Sequence, residues 1–365
     1  MPEDTKSDLV ATMLRNSASA LAGYAAGDLL ETDTAAGQAF GADPFTMWRH
    51  WLTGRVEDLA AAVAVARPDL FVGQVQWGRA VLESRGVAPA CFQAGIDCLR
   101  QVLMKELPTD VTDVVAPYLA AALSQFDGQA EEACCRLSPE TPAGQLASRY
   151  LLAVLEGDRR KARETVLEVE PERMSIPQIY LDVILPAQEE IGRMWLANEI
   201  TVAEEHFATA TTRSLMAQLL AKAPVRDAHG KTVMTAAVAG NRHDIGIQAV
   251  GDLLEMDGWK AIQLGADVPI GDLVAAIECF RADLLALSTT LSSHLPKLQE
   301  TIEAVRNCDR CASIKILVGG RAFGGCAETA IRLGADAYAA TAQEAVAVAA
   351  SLFDLPHDPS LFSGE

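Results

Sequence analysis

Residues 231–256 read KTVMTAAVAGNRHDIGIQAVGDLLEM. Lys231 to Gly240 is an apolar, β-rich run closed by glycine, and from Asp244 to Met256 the apolar residues fall at helical spacing. A strand that hands over to a helix through a short polar turn is half of a βαβ unit. The pattern then repeats. WKAIQLG (259–265), DLLALST (283–289), IKILVGG (314–320) and ADAYAA (335–340) read as further strands, with helical stretches between them, the first from Gly271. This alternation predicts an α/β fold with a doubly wound parallel sheet of the flavodoxin-like kind. Ligands of such sheets sit beyond the carboxyl ends of the strands, so the loops after them are where chemistry is expected.

Three of those loops stand out. After the first strand, GNRHDIG (240–246) presents His243 on a turn, flanked by Asn241, Arg242 and Asp244, and Gly246 is expected to let the chain turn closely into the helix. A neutral imidazole is a good transition-metal ligand when its second nitrogen has an orienting partner. After the third strand, LSTTLSS supplies hydroxyls at Ser288, Thr290 and Ser292. After the fourth, VGGRAF carries Gly319 and Gly320, where missing side chains would let a large ligand slide along the backbone. Singly, each has a plain explanation: a polar turn residue, or hydroxyls capping the next helix. On three strand ends in order, they outline a slot.

That order resembles the cobalamin-binding domain shared by methionine synthases, corrinoid carrier proteins and mutases. The family pattern is Asp-x-His-x-x-Gly, then Ser-x-Leu, then Gly-Gly. The resemblance covers about 230 to 350 and takes in HDIG, LGADVP and GADAYA. It implies base-off cobalamin, with His243 as lower axial ligand of the cobalt and the nucleotide tail in the slot. Asn241 stands where the family has Asp, and Thr290 where it has Leu. An Asn partner implies a less basic imidazole and a looser axial bond.

Upstream, 138–224 is helical, and its short connections predict a four-helix-bundle cap. Its clearest pieces are PQIYLDVILPAQEEIGRMWLAN and TVAEEHFATATTRSLMAQLLAK, the second starting at Val202 behind a Thr201/Glu204 capping box. Trp195 closes one helix, and Glu205 and His206 lie early in the next, so a hairpin is expected to bring them together as a roof over the corrin. The spacing W-x9-EH resembles the cap of light-sensing, adenosylcobalamin-dependent transcription repressors. There the Trp packs beside the adenosyl group and light breaks the cobalt–carbon bond. Leu196 occupies the position of the cobalt-capturing His of those repressors, so the same bis-His photoproduct is not expected.

Residues 1–137 read as helices beginning near Pro44, Pro68, Ala88 and Thr109, an all-helical sensor-like domain. RHW at 49–51 and the segment 83–95 resemble globin-like sensor domains. Joined to the cap and the cobalamin domain, they resemble photocobilins, which also carry biliverdin. The resemblance implies a bilin as second chromophore near Trp48, His50 and Trp51, residues that equally suit an ordinary core. The expected layout is 1–137, 138–224, a cobalamin-binding domain over 225–355, and a tail, 356–365.

A net charge of -19 without any Lys/Arg-rich run argues against direct nucleic-acid contact. No run of about 18 uncharged apolar residues suggests a membrane span. The acidic start MPEDTKSDLV and eight scattered cysteines suggest a cytoplasmic, reduced protein. Cys308 and Cys311 form a lone CxxC, which without a second pair reads as no zinc site. No nucleophile-and-base arrangement suggests an enzyme. The expected function is a cobalamin-binding light sensor or regulator, a homo-oligomer whose assembly responds to light, with an unidentified protein partner. A corrinoid methyl carrier, using His243 in the same way, is the alternative.

Overall fold

The computed structural model describes residues 3–128, 135, 137–170, 173–356 and 362, so most of the expected tail lies outside the described residues. The chain divides into two units, Met1–Cys134 with Leu196–Glu199, and Cys135–Trp195 with Ile200–Glu365.

The first unit is all helical: α1 (Glu3–Thr32), α2 (Thr34–Gln38), α3 (Pro44–Ala64), α4 (Pro68–Ser84), α5 (Pro89–Glu106) and α6 (Thr109–Ser124). The starts follow local chemistry. Asp33 accepts from Ala35 N at 2.8 Å and Asp43 from Thr46 N at 3.1 Å, and α3, α4 and α5 begin on proline, whose missing N–H costs nothing there. The long α1 was not distinguished by apolar periodicity. Its buried face is largely alanine (Ala11, Ala18, Ala22, Ala25, Ala26), with Leu14, Leu21 and Leu29 between. Trp48, Leu52, Leu59, Phe71, Phe92 and Ile96 fill the core. Trp48 Nε1 donates to Ala36 O at 3.0 Å, and its ring meets Phe40 edge-on at 5.1 Å. His50, two residues on, is exposed. The expected grouping of His50 with Trp48 is therefore corrected: residues two apart on a helix face different ways, and this tryptophan is core.

The second unit opens with α7 (Pro142–Leu155), α8 (Arg159–Leu167) and α9 (Ile176–Gln178), then a π-helical turn, Ile179–Ile184, then α10 (Leu185–Leu196) and α11 (Val202–Leu220). The capping box is present: Thr201 Oγ1 accepts from Glu204 N at 3.3 Å, and Glu204 Oε2 from Thr201 N at 2.7 Å. The run 177–198, expected as one helix, is not uniformly α. Pro186 has no N–H to continue the ladder, and Leu185 N–H bonds back to Tyr180 O in the wider π register.

Five parallel strands follow: β1 (Thr232–Ala237), β2 (Lys260–Gly265), β3 (Leu284–Ser288), β4 (Lys315–Gly319) and β5 (Ala337–Ala339). Between and after them lie α12 (Ile245–Met256), α13 (Ile270–Phe280), α14 (Leu295–Arg306), α15 (Ala327–Arg332) and α16 (Ala342–Ser351). The order β2-β1-β3-β4-β5 is doubly wound, as expected. Ala237 pairs with Ser288 and Ser288 with Gly319. Three strand ends are thus level on one edge, and the three marked loops leave it side by side. Cap and sheet share one core: Tyr180, Ile184, Leu215 and Met216 belong to the same buried cluster as Val233, Leu253, Leu254 and Leu284.

Candidate functional site

The first loop is held from both sides. Val238 N donates to Ser288 O at 3.2 Å, Asn241 N to Val238 O at 2.9 Å, and Gly240 N to Asp267 Oδ1 at 2.7 Å. Gly240 turns the chain at φ +84°, a left-handed conformation that favours glycine. Asn241 is buried beneath the turn. Its Nδ2 donates to Ser288 O at 3.2 Å and Thr290 Oγ1 at 3.4 Å, which fixes the amide's orientation. Its Oδ1 then accepts from His243 N and from His243 Nδ1, each at 3.1 Å. The imidazole hydrogen therefore sits on Nδ1, and Nε2 keeps its lone pair for a metal.

His243 is exposed to solvent. The surrounding protein lowers its pKa below the usual imidazole value, the nearby Glu205 and Asp244 carboxylates oppose that shift, and Arg321 adds to it. A neutral ring is the form that ligates metals. Glu205, in the first turn of α11, is thus within electrostatic reach of His243 from the cap side. Its Oε2 accepts from His206 Nδ1 at 2.5 Å, and its Oε1 from Thr209 Oγ1 at 2.7 Å. His206 is exposed, and Trp195 is half-buried against the core at the end of α10. Asp244 forms an ion pair with Arg213 of α11, so it ties the His243 loop to the cap. Arg242 is exposed.

Gly319 and Gly320 also have a reason within the protein. A Cβ on Gly319 would stand 2.6 Å from Ala339 O, and one on Gly320, at φ +108°, 2.4 Å from Thr289 O. Close backbone approach within the protein already requires both, whatever slides past them. Gly246 is not the turn residue expected. It lies inside α12, and a Cβ there would meet nothing within 4 Å. The chain itself gives no reason for that glycine, and the space beside it is open.

The β3 loop also holds groups that the sequence alone marks as ordinary surface or core residues. Thr289 Oγ1 and His294 Nδ1, with the expected Ser292 Oγ, are buried and without hydrogen-bond partners among the described residues. None caps a helix: neither the short 3-10 turn Ser292–His294 nor α14 has a side-chain cap. Burial lowers the His294 pKa, and the nearness of His243 lowers it further against the Asp267 carboxylate. Alternation gives no signal for Thr289, because β3 is buried on both faces and ends at Ser288, and His294 has none either.

A lone pair aimed from a strand end, an open wall at Gly246 and three orphaned polar atoms along one loop suit a large planar metal complex with a polar tail. The donor set fits cobalamin.

Residues 231–350 match a family described as B12 binding domain, and 146–220 match a second family of the same description. A corrinoid protein of Desulfitobacterium hafniense is 27% identical over 172 residues, 46% of this chain and 80% of that protein. The HTH-type transcriptional repressor CarH of Myxococcus xanthus is 29% identical over 142 residues, 39% of this chain and 46% of the repressor. Dimethylamine corrinoid protein 1 of Methanosarcina acetivorans is 32% identical over 88 residues, 24% of this chain and 41% of that protein. The chain thus spans less than half the length of the last two. The monomethylamine corrinoid protein of Methanosarcina barkeri superposes on 57% of this chain and 99% of its own, with 19% identity and a TM-score of 0.49.

Proposed function

We propose that this cobalamin-binding chain, built of a B12-binding cap and a B12-binding domain, is a light sensor that holds adenosylcobalamin base-off on His243 and changes its assembly when the upper ligand is lost. The observation that carries the sensor reading is the cap, with Trp195, Glu205 and His206 at W-x9-EH spacing and the Glu205 carboxylate within electrostatic reach of His243. The Asn241–His243 bond, which leaves Nε2 free, supports the cobalt ligand that a carrier would share. When bound, the cofactor supplies a cobalt–carbon bond that visible light cleaves. Asn241 holds the imidazole in its ligating tautomer. Thr289, Ser292 and His294 offer the nucleotide tail hydrogen bonds that the protein leaves unmade. In this reading Trp195, Glu205 and His206 would meet the upper side from the cap, and His206, which is exposed, would take the role that Leu196 cannot.

The Arg213–Asp244 pair joins α11 to the lower-ligand loop, so a change above the corrin reaches the segment below it. A ligand shifts an equilibrium only through its differential affinity for two states, and an adenosyl group under the cap supplies that difference. Gel filtration of the adenosylcobalamin-loaded protein in darkness and after green light tests this. A shifted elution volume is expected. Identical volumes, with photolysis confirmed by absorption, would remove the sensor role.

That outcome would favour a corrinoid methyl carrier for a methyltransferase system. The match covering 80% of the Desulfitobacterium corrinoid protein supports this second reading. A biliverdin in the first unit completes the sensor proposal. Since Trp48 is core, such a bilin would lie beside Trp51 and Trp77, half-buried and 6.3 Å apart. Biliverdin mixed with the full chain should show a red-shifted band with induced circular dichroism. The spectrum of free biliverdin would eliminate it.

A further inference from the structure

At the opposite edge of the sheet, the CxxC of the α14–β4 connection acquires a partner invisible in the sequence. Glu278, in the last turn of α13, meets the turn that carries Cys308 and Cys311. The donor atoms of all three lie within 4.8 Å of one another. Cys308 Sγ is 3.1 Å from Glu278 Oε1. Cys311 N and Ala312 N both donate to Cys308 O at 2.8 Å, a tight turn that puts the two thiols on one side. Cys311 is buried, while Cys308 and the Glu278 side chain are half-buried.

We propose that Glu278, Cys308 and Cys311 bind a divalent zinc ion, which staples the end of α13 to the segment entering β4. Zinc–sulfur bonds of about 2.3 Å and zinc–oxygen bonds of about 2.0 Å, at tetrahedral angles, put neighbouring donors roughly 3.3–3.8 Å apart. The group is already close to that size. Two soft sulfurs select zinc over magnesium or calcium. With zinc, the two thiolates and the carboxylate are balanced by the dication and by Arg310, 3.3 Å from Glu278 Oε2. Glu278 and Arg310 also line a cleft of about 800 Å³, from which water can reach the group as a further ligand. A sequence reading that asks for a second CxxC misses this, because the third ligand comes from a helix thirty residues away and is a carboxylate.

Cobalt(II) titration of the full-length chain, reduced, chelator-stripped and free of cobalamin, tests the proposal. A thiolate-to-cobalt charge-transfer band should saturate at about one cobalt per chain and be bleached by zinc. Cys308→Ser and Cys311→Ser should each cut that band by about half and weaken binding tenfold or more. Glu278→Gln should keep the band but alter the visible d–d absorption. Each variant is checked for fold by far-ultraviolet circular dichroism and cobalamin uptake. No charge-transfer band in wild type, with both thiols shown free by titration, would overturn the site. So would a Cys308–Cys311 disulfide recovered from aerobic preparations that shows no cobalt band after reduction, which would make the pair a redox couple instead.

Discussion

Asn241 donates both to Ser288 O and to Thr290 Oγ1, and only its oxygen is left for His243. An aspartate in its place would point a buried carboxylate at the Ser288 carbonyl with no hydrogen to give. Asn241→Asp should therefore destabilise the cobalamin-free chain by about 1–3 kcal/mol, read from urea melts at neutral pH. An unchanged midpoint would contradict the placement of the amide. His243→Ala should lose base-off binding, with cobalamin either released or kept on its own base. The axial-nitrogen signature in electron paramagnetic resonance of the reduced cofactor reports which. His294→Ala, by contrast, removes one orphaned polar contact to the tail. It should leave that signature intact while weakening affinity about two- to tenfold by equilibrium titration. A changed axial signature would mean that His294 acts at the cobalt.

The π turn Ile179–Ile184 carries Tyr180 to a buried polar junction that joins the cap, α12 and β2. Tyr180 Oη lies 2.9 Å from Met216 O and 2.8 Å from Asp252 Oδ2, and Gln263 Nε2 donates to Asp252 Oδ1 at 2.6 Å. A phenol has one hydrogen for two acceptors, so the network closes when Asp252 is protonated and donates to Tyr180. Burial, against the opposing hydrogen bonds from Gln263 and Tyr180, raises the Asp252 pKa from 3.8 to about 6. A carboxyl whose folded pKa is raised contributes stability that is fully present below about pH 4 and lost as pH rises through about 6. Asp252→Asn offers the same donor and acceptor without a charge. It should flatten the pH dependence of stability between pH 4 and 6 and stabilise the chain at pH 7 by up to about 3 kcal/mol. Parallel curves for variant and wild type across that range would refute the protonated junction.

On the scale of the molecule, two buried clusters share no residue: one runs from Val10 to Phe126, the other from Leu146 to Phe362. A hydrophobic core of its own is what allows a segment to fold alone. A chain of residues 135–365 should therefore remain folded and bind cobalamin with His243 on the cobalt. Cobalamin titration of that fragment checks it, and loss of binding would place part of the cofactor's support in the first unit. Among the described residues no helix is long and apolar enough to cross a membrane.

The strand-and-helix alternation, the capping box at Thr201 and the His243 turn were legible in the sequence because they depend on neighbours a few residues away. Period, cap spacing and turn chemistry are local physics, and they determined the α/β sheet, the start of α11 and the ligand candidate. The alanine-faced α1 escaped because small side chains give weak periodicity, and the π turn because a single proline decides its register. Everything that depends on distant residues meeting was settled by the tertiary structure alone. Level strand ends set Ala237, Ser288 and Gly319 side by side. Backbone approach by Ala339 O and Thr289 O requires Gly319 and Gly320. Burial without partners singles out Thr289 and His294, and packing of α13 beside the CxxC turn adds Glu278 to two thiols. Hydrogen bonds and burial act through space, and a spacing in sequence carries them only where the chain is its own neighbour.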